Sequence, residues 1–202
     1  MKTSVCLTSF LLTLALAMPA PSPNDQDDKP KKGKCVKPPE AKKFIERYTG
    51  FLSREGSDLG DARATGDALI ADDIEQYSFS VNSVRGKPVS DNGPDAGLLQ
   101  KGKDGFLDNV LSTPMLPPKG IKTLSALAAC EDGNSKIIWQ WQFDSVGDGG
   151  AKATPIRGFT LFDVVRDKGP REFKVERINI EFDSIAWAAD LGKGNQHHAV
   201  GY

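Results

Sequence analysis

The side chains able to do chemistry are few and widely spaced. Only two histidines occur in 202 residues, His197 and His198, adjacent and close to the C-terminus. A metal centre needs several ligands in fixed geometry, so this pair predicts no metal site, and no other cofactor is implied. The rest of the chain lacks the imidazole on which most triads and many acid–base steps depend. Carboxylates and phenols remain. Asp72 and Asp73 stand where a predicted helix meets the first predicted strand. A carboxylate at the mouth of an apolar pocket can have a raised pKa and act as a general base; ordinary capping and solvation would also place acids at such a junction. Tyr48 and Tyr77 could donate hydrogen bonds to a ligand carbonyl, or could be core aromatics whose hydroxyls reach the surface or a backbone acceptor. Catalysis, if present, would draw on Asp72 or Asp73 with Tyr48 or Tyr77.

A second group lies in strongly apolar segments. Arg157 and Glu181 read as a cross-strand ion pair, because a buried charge needs a partner; alternatively Arg157 hooks a ligand anion and Glu181 orients it. Trp139 and Trp141, with Trp187, could line a cavity for a flat hydrophobic ligand, or could serve as core or as a homodimer face. Expected partners are therefore a small hydrophobic ligand and a second copy of the chain.

These residues must be positioned by elements that the pattern outlines. Ala41, Phe44, Ile45, Tyr48, Phe51 and Leu52 recur at helical spacing from Pro39 onward, and Gly56 marks the end. A second helix is predicted from about Asp58, its N-cap, to Ala71. The segment from Asp72 to Val84 reads as extended, residues 86–104 as a long loop, and Asp104 as the cap of a short helix with Phe106, Val110 and Leu111 on one face. Strands follow at 121–130, 137–143, 156–166 and 173–187. In the second of these, Ile137, Trp139, Trp141 and Phe143 alternate with polar or outward residues at period two. In the last, the apolar set slips from Phe173 and Val175 to Ile178, Ile180 and Phe182, which predicts a bulge and a bent sheet. Helices first and consecutive strands after them predict an α+β domain with a curved antiparallel sheet.

Composition bounds the rest. With 26 Lys+Arg against 27 Asp+Glu, the net charge is −1. That removes the broad case for nucleic acid or an anionic membrane, which want a concentrated basic face. Lys2 followed by the apolar run Val5–Ala17 reads as a signal peptide over residues 1–17, too short to span a bilayer comfortably, with cleavage after Ala15-Leu16-Ala17. The expected location is secreted and extracellular. Cys6 leaves with that segment, and the remaining pair, Cys35 and Cys130, predicts one disulfide. Neither Asn82-Ser83-Val84 nor Asn134-Ser135-Lys136 is a glycosylation sequon. Residues 18–38 are Pro- and Lys-rich and read as a disordered leader, 39–192 as the folded domain, and 193–202 as a flexible tail.

Several stretches carry a family resemblance: Cys35-Val36, Leu69-Ile70-Ala71-Asp72-Asp73-Ile74, Ser80-Val81-Asn82-Ser83-Val84, Ile138-Trp139-Gln140-Trp141, Pro155-Ile156-Arg157-Gly158-Phe159, and Glu181-Phe182-Asp183-Ser184-Ile185-Ala186-Trp187. Together they resemble secreted fungal members of the nuclear-transport-factor-2-like, or SnoaL-like, superfamily. The resemblance implies a cone in which about three N-terminal helices cover a curved sheet, often around a pocket. Isomerases, dehydratases, polyketide cyclases and non-catalytic binding modules share that fold, so it does not by itself assign a function. Dehydratase-type sites of the superfamily pair His with Asp, and this domain has no His to offer. The expected function is a secreted small-molecule-binding module with a hydrophobic pocket. The alternatives are a cofactor-free isomerase, dehydratase or cyclase on a polyketide-like or terpenoid substrate, and an extracellular interaction protein.

Overall fold

The computed structural model describes residues 35–86, 96–112, 117–146, 154–166 and 173–191. The expected signal peptide, nearly all of the leader, the tail with His197 and His198, and residues 147–153 and 167–172 lie outside the described residues. Helix α1 runs Pro38–Ser53 and buries the predicted stripe of Ala41, Phe44, Ile45, Tyr48 and Phe51. Its start is fixed by proline in the first turn and by the Lys37 N–H donating to Glu40 Oε2 at 2.7 Å. Helix α2, Ala62–Leu69, is shorter than its pattern suggested and is capped by Asp61, whose Oδ1 accepts from the Ala64 N–H at 2.8 Å. Asp58 does not cap it. A tight Ser57–Gly60 turn with Gly60 at φ 124° separates the two, and Asp58 instead receives both arms of Arg47 at 2.8 Å.

Strand β1 covers Ile70–Tyr77 and stops earlier than the β-formers Val81 and Val84 imply. Ser78 takes over as an N-cap, its Oγ accepting from the Val81 N–H at 3.0 Å, and starts the short helix α3, Phe79–Val84. Within the segment read as loop lies strand β2, Leu98–Lys101, which is too brief to show alternation. Helix α4, Lys103–Leu111, begins at Gly102 with φ 86°, a conformation that favours glycine over the expected Asp104 cap. Strands β3 (Lys122–Glu131), β4 (Asn134–Phe143), β5 (Ile156–Arg166) and β6 (Phe173–Phe182) then form a meander. The β3–β4 turn, Asp132 at φ 52° and Gly133 at φ 87°, is the left-handed pair that two-residue hairpins require. The last strand ends at Phe182. Residues 184–187 are not strand but the start of helix α5, Ser184–Asp190, capped by Asp183, whose Oδ1 accepts from the N–H groups of Ile185 (3.1 Å) and Ala186 (2.9 Å).

The six strands form one curved, unclosed sheet in the order β2-β1-β6-β5-β4-β3. All neighbours are antiparallel except β1 and β6, which run parallel and make the sheet mixed. No local pattern could have indicated that pairing, because it joins segments about a hundred residues apart. The predicted bulge is present: Asp163 faces Arg177 and Val164 faces Val175, leaving Glu176 as the extra residue of β6. That residue transfers the inward role from odd to even positions, so Phe173, Val175 and Ile178 are all buried. Helix α1 lies on the inner face, with Tyr48 edge-on to Phe162 (4.8 Å between centroids) and Trp139 (6.0 Å). Cys35 and Cys130 are joined, with Cα atoms 5.8 Å apart and a sequence separation of 95. The adjacent Val36 N–H donates to Ser135 Oγ at 3.1 Å, so the entry to α1 is stitched to the β3–β4 hairpin twice.

Two predictions follow from this packing. Replacing both Cys35 and Cys130 with Ser releases a loop whose closure is worth about 4–5 kcal/mol in the chain-entropy model, and the urea unfolding midpoint should fall accordingly. A β-carbon at Gly158 would lie 2.5 Å from Trp141 Cζ2 and 2.7 Å from the Glu181 carbonyl oxygen. Gly158→Ala should therefore cost about 1–3 kcal/mol through overpacking, read as a drop in Tm.

Candidate functional site

The inner face of the sheet is not completely covered. Between β4 and the helices lies an apolar chamber of about 170 Å³, floored by Trp139, Trp141 and Phe143 of β4 and by Ile180 and Phe182 of β6. Tyr48 and Leu52 of α1, Phe106 and Val110 of α4, Val81 of α3 and Trp187 of α5 complete its walls. It adjoins an outer chamber of about 360 Å³, and Leu52, Gln76, Val81, Val110, Pro118, Phe182 and Trp187 line both. The outer volume lies within the usual range of ligand sites, about 300–1,000 Å³.

Polar groups in the inner chamber are sparse. The indole N–H of Trp141 donates to Thr160 Oγ1 at 2.9 Å and that of Trp139 to Thr123 Oγ1 at 3.0 Å, so both tryptophans offer only apolar surface. Tyr48 is 2% exposed. Burial pushes its phenol up, which keeps it a proton donor. Among the described residues no hydrogen bond reaches the Tyr48 hydroxyl or the Gln76 side-chain amide. Ile74 and Gln76 take inward positions on β1, whereas Asp73, Glu75 and Tyr77 take the alternate outward ones.

That parity separates the residues singled out in the sequence. Tyr48 lines the chamber, but Asp72, Asp73 and Tyr77 do not. Asp72 is exposed and ion-paired with Lys103 of α4, whose ammonium holds the carboxyl below its ordinary value, the reverse of a poised base. Tyr77 donates to Glu75 Oε2 at 2.9 Å on the outer face, beneath the Arg177 guanidinium. Trp139 and Trp141 form the floor as the aromatic alternation implied, and Trp187 joins the wall from a helix rather than a strand.

Arg157 and Glu181 do not pair with each other. The register sets Arg157 opposite Gln142, to whose Oε1 its Nε donates at 2.9 Å, and sets Glu181 opposite Phe159. The Glu181 carboxylate accepts from the backbone N–H of Phe79 (2.9 Å) and Ser80 (3.0 Å) and from the Ser80 hydroxyl. It thereby fastens the start of α3, just as Asp183 fastens α5. Two carboxylates at the end of β6 thus position Val81 and Trp187 on opposite helices of the cavity wall. Gln76, Val110 and Phe182 also belong to the site. Phe182 could be read from the alternation of β6 and Val110 from the apolar face of the short helix, whereas nothing local distinguishes Gln76.

The outer face carries a wider polar depression of about 490 Å³. Across it Lys136, Asp163, Arg177, Glu75 and Lys101 occupy successive cross-strand positions with alternating charge. Glu75 is held down to about 2 by Lys101, the Tyr77 hydroxyl and Arg177. Glu176, at the bulge, is raised by burial and then by Asp73 and Asp163. Glu75 is paired with Lys101 at 2.9 Å and Arg177 at 3.2 Å, whereas Lys136 pairs with Glu131 and Asp163 Oδ1 is buried without a hydrogen-bond partner among the described residues. Among the described residues no group of His, Cys, Asp and Glu could hold a metal ion, and no helix is long and apolar enough to cross a membrane.

The family model for the NTF2-like domain matches residues 34–194, so the chain belongs to the NTF2-like domain family. Solved structures of similar architecture include an NTF2-like protein of unknown function from Shewanella baltica. It is 12% identical, covering 74% of this chain and 98% of that one, with a TM-score of 0.42. Another is a nuclear transport factor 2-like superfamily protein from Salmonella enterica serovar Typhimurium, 10% identical over 79% of this chain and 93% of its own, with a TM-score of 0.45. No curated protein matches the chain.

The charge ladder generates a pH prediction. Glu75 has a folded-state pKa depressed from 4.5 to about 2. Its contribution is complete above the unfolded value and is lost as pH falls from about 4.5 through about 2. Urea midpoints measured at pH 5 and pH 3 should fall less in Glu75→Gln than in the parent chain; parallel losses would remove Glu75 from the acid response.

Proposed function

We propose that this chain is a secreted small-molecule-binding module that holds a mainly apolar ligand in the two-chambered cavity. The observation that carries the reading is the inner chamber itself, an aromatic-floored void with one buried phenol donor and one amide left to meet a ligand. A carbonyl or hydroxyl on the ligand would accept from Tyr48, and leaving either group unmet in an apolar site is costly. Secretion rests on the N-terminal apolar segment and accords with the Cys35–Cys130 bridge. Catalysis as an isomerase, dehydratase or cyclase would call for a carboxylate facing the cavity, and the described lining residues include no Asp or Glu.

A second reading, that of an extracellular interaction protein, is favoured by the opposite face. Leu127, Ile138 and Phe159 are 57%, 36% and 55% exposed on the outward side of adjacent strands. A homodimer or another protein would bury that patch without disturbing the cavity, so the two readings can be tested apart.

The neutral fluorophore N-phenyl-1-naphthylamine serves as the probe. It should bind saturably with energy transfer from Trp139 and Trp141. Val110→Trp, which fills space common to both chambers, should weaken binding at least about tenfold while leaving Tm near the parent value. Undiminished binding in that variant would place the probe elsewhere, and no binding to the parent chain would remove the ligand-binding reading.

A further inference from the structure

The two edges of the sheet are guarded differently. Strand β2 closes one side with four residues, and its Lys101 is tied to Glu75. Strand β3 closes the other with ten, and among the described residues its only strand partner is β4. In an antiparallel ladder alternate residues turn their N–H and C=O groups away from the partner. Along β3, among the described residues, no backbone group of another element bonds to those free positions. Long edges are ordinarily protected by charge, by proline or by a bulge that twists them away. From Thr123 to Cys130 this edge has no charge and no proline, and the irregularity of its register lies near the start, at Leu124. Ala126 and Ala128 turn inward against the core, whereas Leu127, between them, is 57% exposed on the outward side.

We propose that β3 pairs with β3 of a second copy of this chain, antiparallel about a two-fold axis at Leu127, and so joins two six-stranded sheets edge to edge. Charge selects both the occupant and its direction. The strand is basic where it begins, at Lys122, and acidic where it ends, at Glu131 and the adjoining Asp132. Antiparallel pairing sets Lys122 of each copy beside the acidic end of the other, whereas parallel pairing would set like charges together. A two-fold axis makes both contacts at once. Lys122 and Glu131 have partners in their own sheet, Asp144 at 2.6 Å and Lys136 at 2.8 Å, so charge sets the direction while the backbone ladder supplies the hold. The same register brings the two Leu127 side chains together on the outward face, where each adjoins Ile138 of its own β4. No residue of β3 is among the described lining residues of either chamber, so the pairing leaves the cavity as it is.

Sedimentation equilibrium of the parent chain, with its disulfide intact, should show a dimer whose population rises with concentration. Leu127→Lys sets like charges face to face on the axis and should weaken that dimer at least about tenfold while leaving Tm near the parent value. Phe159→Lys removes a side chain of similar exposure, 55%, from β5, two strands in from the edge, and should leave association unchanged. That pair of variants separates edge pairing from a face-to-face dimer, which would use Phe159 as well. Amide hydrogen exchange reads the backbone itself: on association it should slow within residues 123–130 and not within β2. The exchange pattern of the parent chain decides the matter should Leu127→Lys fail to fold. A chain that stays monomeric at every concentration, a dimer that Phe159→Lys dissolves, a dimer that Leu127→Lys leaves intact, or association without added protection in β3 overturns the edge pairing.

Discussion

Four large side chains on one face of β4, Ile137, Trp139, Trp141 and Phe143, each at most 4% exposed, have to be covered, and the domain is arranged around how that happens. Leaving them in water would forgo roughly 1.5–3 kcal/mol apiece. Helix α1 covers one end with Phe44, Tyr48 and Phe51, and Phe162 of β5 inserts between helix and strand in edge-to-face contact with two of those rings. The indole N–H groups would be costly in that environment, and Thr123 and Thr160 on the flanking strands accept them. The opposite end of the aromatic row is covered less completely, and the cavity occupies the difference.

Cover at that end comes from elements too short to stand alone. Helices α3 and α5 have six and seven residues, well under the length at which a helix is stable by itself. Each is instead held by a carboxylate from the end of β6. Glu181 receives the first N–H groups of α3, and Asp183 receives those of α5. Hydrogen bonds to a charged acceptor are about twice as strong as neutral ones, but three of these four lie at the exposed surface, where water competes for the same groups. The cavity wall is consequently anchored at points rather than packed throughout, which suits a site that a ligand must enter. The charges at the end of β6 that look catalytic in sequence serve this positioning role.

The two faces of the sheet divide the chemistry of the chain. Outward positions on β2, β1, β6, β5 and β4 carry the alternating ladder from Lys101 to Lys136, in which Glu75 is paired with both Lys101 and Arg177. Among the described strand residues that line the inner chamber, Gln76 and Thr160 are the polar ones. The Glu176 bulge maintains this division where β6 would otherwise drift out of phase, because one inserted residue exchanges every following side chain between the faces. Strict alternation from Phe173 and Val175, with Glu176 paired in the ladder, would instead turn Arg177 toward the core and Ile178 and Phe182 toward water.

Much of this was legible from the amino-acid order alone, and the legible part has a common cause. Periodicity reports burial directly, so the α1 stripe, the aromatic face of β4 and the phase slip in β6 all appear in the sequence as they do in the fold. Cysteine count likewise sufficed to pair Cys35 with Cys130 once Cys6 was assigned to the leading segment. What the order of residues could not contain was any relation between distant segments in the absence of a shared pattern. The parallel β1–β6 pairing, the β2 edge strand, and the two short helices are of that kind, since each is stabilised by partners far along the chain. The same limit governed the site. Asp72, Asp73 and Tyr77 are chemically competent side chains, but β1 turns Asp73 and Tyr77 outward and Lys103 claims Asp72, whereas Gln76, one position from Tyr77, faces the cavity. Chemical type is a property of the residue; which side of a strand it occupies is decided only when the sheet chooses which face to bury.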